Sequence, residues 1–177
     1  MALSVDSAPL EADRFEAMRH AMVASQLRTN AVNDARVVEA MARVPRENFL
    51  PAEHRGLAYR DTLLPLAGGR RHNSPLALGR LLTQAQLRAE ERVLLIGAAG
   101  GYAAALLSGL VQSVVAVEEE EALVALARGA LSGFANVEIV QAPLHAGAVG
   151  KGPFDVMIVD GAAEHLPDAL VEQVKPG

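Results

Sequence analysis

Between residues 97 and 118 the sequence sets a run of small residues and a carboxylate at a spacing suited to holding a nucleoside. Gly97-Ala98-Ala99-Gly100-Gly101-Tyr102 follows a strongly apolar segment and leads into an alanine-rich stretch. Small side chains let a ligand approach the backbone there, and the free N–H groups of a following helix favour an anionic or polar group. Glu118 comes about 20 positions later, where a carboxylate at the end of a second strand accepts hydrogen bonds from both ribose hydroxyls. A dinucleotide fingerprint placed on Gly97 puts Ala99 and Tyr102 at its other two glycine positions, and a bulky tyrosine opposes the close helix–strand packing required there. A Gly-x-Gly-x-Gly pattern fits better, on Gly97, Ala99 and Gly101. Glu119, Glu120 and Glu121 extend the acidic run and suit the solvated first turn of a helix, where negative charge complements the dipole.

Other residues could also do chemistry. Asn73 and Ser74 precede Pro75, so Ser74 stands where a helix N-cap belongs and Asn73 offers two amide donors. Asp160 ends another apolar run beside Gly161, where it would orient a substrate or serve a turn. His72, His145 and His165 fall near strand ends; they would be metal ligands or surface and packing histidines, and no paired spacing favours a metal. Arg70-Arg71 would attract an acidic peptide or stand as a solvated pair. Tyr102 is expected to pack the glycine turn.

The elements needed to position these residues are legible as periodicity. Residues 1–10 have no period and suit a loose leader. Phe15, Met18 and Met22 lie on one helical face, predicting a helix over about 11–27. A second helix follows Asn33 or Asp34 as cap, with Val37, Val38 and Met41 inward and Pro45 stopping it. Residues 51–73 read as mostly irregular, and a helix begins at Pro75 with Leu78, Leu81 and Leu82 facing a core. From 92 onward strand and helix alternate. Strands are expected at 93–96, 113–117, 137–140 and 154–159, with helices at about 101–110, 120–131 and 167–174. Val93-Leu94-Leu95-Ile96, a continuous apolar run ending at Gly97, predicts a central parallel strand covered on both faces, and the alternation implies right-handed βαβ units and a doubly wound α/β sheet. The expected organisation is thus a leader at 1–10, a helical cap and irregular segment at 11–73, and a nucleoside-binding core at 74–177. Four strands leave the edge at the fourth uncovered, so further C-terminal strands are expected to lie outside this sequence.

Composition narrows the function classes. The 177 residues carry 16 Lys and Arg against 21 Asp and Glu, a net charge of -5, and 51 % hydrophobic side chains. That balance argues against a broad phosphate-neutralising surface and so against nucleic acid. Cysteine is absent, which removes disulfides, thiolate metal sites and a cysteine nucleophile. No membrane-spanning run or export signal is evident, and a cytoplasmic protein is expected.

Several segments in order resemble the protein-L-isoaspartate O-methyltransferase family: Ser25-Gln26-Leu27-Arg28, Val44-Pro45-Arg46-Glu47-Asn48-Phe49, Ala58-Tyr59-Arg60-Asp61, Leu64-Pro65-Leu66, the turn after Ile96, Pro153-Phe154-Asp155, and Leu166-Pro167 through Gln173-Val174-Lys175-Pro176-Gly177. The resemblance implies a Rossmann-like class I methyltransferase fold with an N-terminal helical cap. It also implies S-adenosyl-L-methionine as cofactor and methylation of the isoaspartyl carboxylate in damaged proteins or peptides. The cofactor residues it implies are Gly97, Ala98, Ala99, Gly101, Glu118, Glu119, Ala142 and Asp160; the catalytic ones are Asn73 and Ser74. Two departures stand out. The family's Ile-Ser-x-Pro becomes His72-Asn73-Ser74-Pro75, and its Gly-Asp-Gly after the third strand becomes Ala142-Pro143-Leu144. Three functions stay open: an active isoaspartyl methyltransferase, a non-catalytic relative acting as a binding module, and a methyltransferase of different substrate. A carboxylate nucleophile is already ionised at neutral pH, so the first needs positioning rather than a strong base.

Overall fold

A computed structural model describes residues 7–176. Helix α1 (Ser7–Met22) starts earlier than expected: Ala8, Leu10, Glu11 and Ala12 are good helix formers, and Pro9 is tolerated in a first turn. Of the expected loose leader, only residues 1–6 lie outside the described residues. The helical path continues through a wider π turn at Val23–Leu27 that buries Val23 and Leu27. Helix α2 (Ala35–Arg43) is capped by Asp34, whose side chain accepts from the Arg36 and Val37 N–H groups, and Val37, Val38 and Met41 are buried as predicted.

The segment expected to be irregular holds a small hairpin. Strands β1 (Leu64–Pro65) and β2 (Arg71–His72) pair antiparallel across a turn at Ala67–Gly69, in which Gly68 and Gly69 have φ of +62° and +72°. Strands of two residues give no readable alternation, so only the glycine pair marked this element. Helix α3 (Pro75–Gln84) then begins with proline at its first position.

The core follows as β3 (Arg92–Ile96), α4 (Tyr102–Ser108), β4 (Ser113–Glu118), α5 (Glu121–Ala130), β5 (Val137–Gln141), β6 (Val156–Val159) and α6 (Asp168–Val171). All four strands run parallel in the order β5-β4-β3-β6, the doubly wound arrangement expected. Alternate residues serve opposite faces. Val93, Leu95, Val114 and Ala116 join one core with Phe15, Met22, Met41, Leu78 and Leu106; Leu94, Ile96, Val115 and Val117 join a second with Phe154 and Leu170. The N-terminal helices and the sheet therefore share one apolar core.

The fourth strand and last helix are shorter than predicted. Phe154 leaves the sheet to bridge Val174; its N–H donates to the Gln173 carbonyl at 2.8 Å, and its carbonyl accepts the Lys175 N–H at 2.8 Å. That pairing takes residues 173 and 174 out of the helix expected to reach 174. Among the described residues no helix is long and apolar enough to cross a membrane.

Candidate active site

Strand register brings the chemistry together. Ile96 pairs with Val117 on one side and Val159 on the other, so the next residue of each strand, Gly97, Glu118 and Asp160, emerges at the same carboxyl edge. The sequence places these residues up to 63 positions apart, and the sheet makes them neighbours. The Gly97 and Ala98 N–H groups both donate to the Val117 carbonyl, at 3.0 and 2.9 Å, which folds the turn across β4.

The turn then aims itself at Glu118. Gly97 has φ of +85°, Ala99 +48° and Gly101 +98°, so all three positions of the Gly-x-Gly-x-Gly pattern adopt left-handed backbone, Ala99 at a steric cost. In this conformation the Ala99 N–H donates to Glu118 Oε2 at 2.8 Å. Glu118 Oε1 accepts from the Glu119 and Glu120 N–H groups at 3.0 and 3.2 Å, and the residue is fully buried. A carboxylate with three N–H donors is fixed in place as an acceptor. Glu119 does something different: its Oε2 accepts the Leu144 N–H at 3.3 Å, tying the loop after β5 to the end of β4. Ala142, at the start of that loop, donates its N–H to the Glu118 carbonyl at 3.2 Å.

Gly100 and Gly101 are glycines for packing. A methyl group on Gly100 would run into the Phe49 carbonyl oxygen, and one on Gly101 would come within 2.8 Å of Leu131 Cδ1. Tyr102 packs the turn as expected, its ring 5.7 Å from that of Phe49; burial pushes its hydroxyl up to about 12.

Asn73 and Asp160 meet across the crevice. Asn73 Nδ2 donates to Asp160 Oδ1 at 3.1 Å, and Asn73 Oδ1 accepts the Ser74 N–H at 3.0 Å. Ser74 Oγ accepts the Ala77 N–H at 3.3 Å, the N-cap role that its position suggests. Burial raises the Asp160 carboxyl above the ordinary range, opposed by the Asn73 hydrogen bond and by the charges of Arg46 and Arg70.

Two arginines complete the site, and sequence reading gave neither a role here. Arg46 is completely buried. Its Nε donates to the Ala58 carbonyl at 2.7 Å, its Nη2 donates to the Asn73 carbonyl, and its guanidinium lies 4.8 Å from the Tyr102 ring centre. It stood in the segment Val44–Phe49 of the family resemblance with no role attached. Arg70 is not a solvated partner of Arg71. Arg71 is exposed, whereas Arg70 turns inward and places Nη2 3.5 Å from Glu118 Oε2. The hairpin forces this: β2 begins one residue later, and the Arg70 N–H and carbonyl close the turn with Ala67 and Leu66.

The histidines do not converge. His72 is buried with its ring 5.8 Å from Tyr102, and burial together with the Arg46 charge holds it well below the ordinary imidazole range. His145 and His165 are exposed on the rim, and no group of three or more metal-ligating side chains is assembled among the described residues. Beside the glycine turn lies a cleft of about 210 Å³, lined by Ile96, Gly97, Leu144, Val159, Asp160 and Leu170 among others. Its walls are apolar with a few polar groups, as small-molecule sites are.

A nucleoside fits these residues. Gly97 presents a bare Cα to the cleft, Glu118 is a fixed acceptor beside it, and apolar side chains line the space where a base would lie. The one side chain over Gly97 is the flexible Arg70, whose Nη2 would sit 2.7 Å from a methyl group placed there.

Comparison with known proteins gives concordant relatives. The family model described as protein-L-isoaspartate(D-aspartate) O-methyltransferase matches residues 18–177. Protein-L-isoaspartate O-methyltransferase 1 of Rhodopseudomonas palustris strain HaA2 is 38 % identical over 169 residues, 94 % of this chain and 69 % of its own length. The Koribacter versatilis protein-L-isoaspartate O-methyltransferase is 36 % identical over 92 % of this chain and 74 % of its own length. A solved protein-L-isoaspartate O-methyltransferase superposes with a TM-score of 0.76 at 24 % identity, over 91 % of this chain. This chain spans only 52 % of that structure's length. A candidate protein-L-isoaspartate O-methyltransferase from Plasmodium falciparum, solved in complex with S-adenosyl-L-homocysteine, gives 0.76 at 18 % identity, covering 89 % of this chain and 79 % of that one. The fold is therefore that of class I methyltransferases, a Rossmann-like α/β layer.

Proposed function

Because the chain belongs to the protein-L-isoaspartate(D-aspartate) O-methyltransferase family, we propose that it methylates the free carboxylate of isoaspartyl residues in proteins or peptides, with S-adenosyl-L-methionine as donor. When bound, the cofactor supplies a methyl group on a sulfonium, open to in-line displacement. The observation that carries the reading is the convergence of Glu118, Gly97, Asp160 and Asn73 at one crevice.

The chain's own residues then divide the work. Glu118 is held by three N–H donors and has acceptor capacity left for ribose hydroxyls. Gly97, Ala98, Ala99 and Gly101 bring the backbone close to the ligand, and Ala142 and Glu119 fix the loop that closes the cleft. Pro143 stands where the family resemblance places an acidic residue and offers neither carboxylate nor N–H, so apolar contact from Leu144 and Ile96 must hold the base. Asn73 serves at the reacting end. One amide hydrogen is engaged by Asp160 and the amide oxygen by the Ser74 N–H, which leaves a second amide hydrogen to align a substrate carboxylate. Arg46, whose Nη2 donates to the Asn73 carbonyl, places a positive charge beside that incoming anion. Ser74 acts through the helix that it caps, setting where Asn73 sits.

Asn73→Ala tests the assignment. Loss of a hydrogen bond to a charged group costs about 1.5–3 kcal/mol, or roughly ten- to hundredfold in kcat. Binding of S-adenosyl-L-homocysteine, measured by calorimetry, should hardly change. Equal turnover of the variant and the parent would remove Asn73 from the reaction.

A further inference from the structure

The guanidinium of Arg70 lines the cleft and lies against both Glu118 and Gly97. Its Nη2 lies 3.5 Å from Glu118 Oε2. It also covers the bare Cα of Gly97 so closely that a methyl group there would sit 2.7 Å from Nη2. Its Nε is buried and has no hydrogen-bond partner among the described residues, so the side chain is held by charge and shape more than by directional bonds. Arg70 projects from the hairpin of β1 and β2. Two glycines in left-handed conformation precede it, and a methyl group on the first, Gly68, would collide with the Glu120 carboxylate. The hairpin tip therefore lies across the end of β4 and the start of α5, with Arg70 pointing under it towards the glycine turn.

We infer that Arg70 is an affinity-setting residue of the cofactor site: it competes with the ligand's ribose for Glu118 and must be displaced when the nucleoside enters. The inference rests on the reading of this crevice as a cofactor site. Glu118 Oε2 already accepts the Ala99 N–H, so its remaining acceptor capacity faces Arg70, and the ribose hydroxyls and the guanidinium cannot both take it. Half the latch is buried and half is open: the Glu118 side chain is fully buried while Arg70 keeps 26 % exposure. An ion pair of this kind is stronger than an exposed one and still sensitive to salt. Displacing it therefore opposes binding.

The test is calorimetric titration of S-adenosyl-L-homocysteine into the parent, Arg70→Gln and Arg70→Lys at low and high NaCl. Arg70→Gln is expected to bind about three- to tenfold more tightly than the parent, with Arg70→Lys between them. The parent's Kd should fall as NaCl rises through the range that screens the latch, while that of Arg70→Gln stays flat. Binding by Arg70→Gln alone would support the inference in its strongest form. If Arg70→Gln folds, as its thermal unfolding reports, and binds equally or more weakly than a parent that does bind, Arg70 is no competitor and the inference is overturned while the cofactor reading stands. Failure of all three proteins to bind overturns the cofactor reading itself, and the inference with it.

Discussion

Replacing Glu118 by glutamine isolates what its charge does for the fold. The carboxylate accepts the Ala99 N–H at 2.8 Å on one oxygen and the Glu119 and Glu120 N–H groups at 3.0 and 3.2 Å on the other. A glutamine amide has a single oxygen. Its best orientation keeps the pair from residues 119 and 120 and turns the NH₂ towards Ala99 N–H and Arg70, setting donor against donor. The loss is one hydrogen bond to a charged acceptor at a fully buried site, about 1.5–3 kcal/mol. For a chain of this size each kcal/mol moves the midpoint by about 2–4 °C, so Glu118→Gln should lower Tm by roughly 3–12 °C. Differential scanning calorimetry reads the shift directly. Adding Arg70→Gln to the variant should return part of the loss, because the guanidinium then no longer faces an amide, and the two changes will not be additive. A Tm within about 1 °C of the parent's, the scale of a neutral change, would show that the carboxylate is not held by these three donors.

Three further outcomes follow from the same geometry. Ala99→Gly should raise stability by about 0.5–1 kcal/mol, since relief of left-handed strain at φ +48° outweighs the extra entropy of glycine; a lower Tm would contradict it. Burial and the Arg46 charge depress the titration of His72 well below the ordinary imidazole value of about 6.5, so the stability it contributes is present above that pH and lost as pH falls below it; His72→Leu should flatten the acid side of the Tm profile. Burial raises the titration of Asp160 above the ordinary aspartyl value of about 3.9. Its protonated form therefore favours the fold below that pH, and stability is lost as pH rises through the raised value. Asp160→Asn should gain on the parent as pH climbs from 4 to 7, and a constant difference across that range would refute the burial argument.

Three core strands were legible because each combines a continuous apolar run with a glycine or acidic end, Gly97 after β3, Glu118 closing β4 and Asp160 after β6, a pattern that local sequence fixes; β5, Val137-Glu138-Ile139-Val140-Gln141, was legible from its β-branched residues alone. β3, β4 and β5 accordingly start and stop within a residue of expectation, and Glu118 falls at a strand's carboxyl end. What escaped depends on distant partners. Arg46 is buried through the carbonyls of Ala58 and Asn73, 12 and 27 residues away, whereas a charged residue is by default expected at the surface. Arg70 reads as half of a solvated pair until a hairpin of two-residue strands directs adjacent side chains differently. The end of α6 was misplaced for a similar reason: Gln173 and Lys175 carry helix-compatible side chains, but Phe154 captures their backbone groups.

The central claim is that this crevice directs a methyl group to an isoaspartyl carboxylate, and transfer of label from methyl-labelled S-adenosyl-L-methionine measures it directly. Two synthetic peptides differing only in one aspartyl or isoaspartyl linkage serve as acceptors. The account predicts base-labile label in the isoaspartyl peptide alone, and much less of it with Asn73→Ala. Equal labelling of both peptides, or none in either when cofactor binding has been demonstrated, would contradict it.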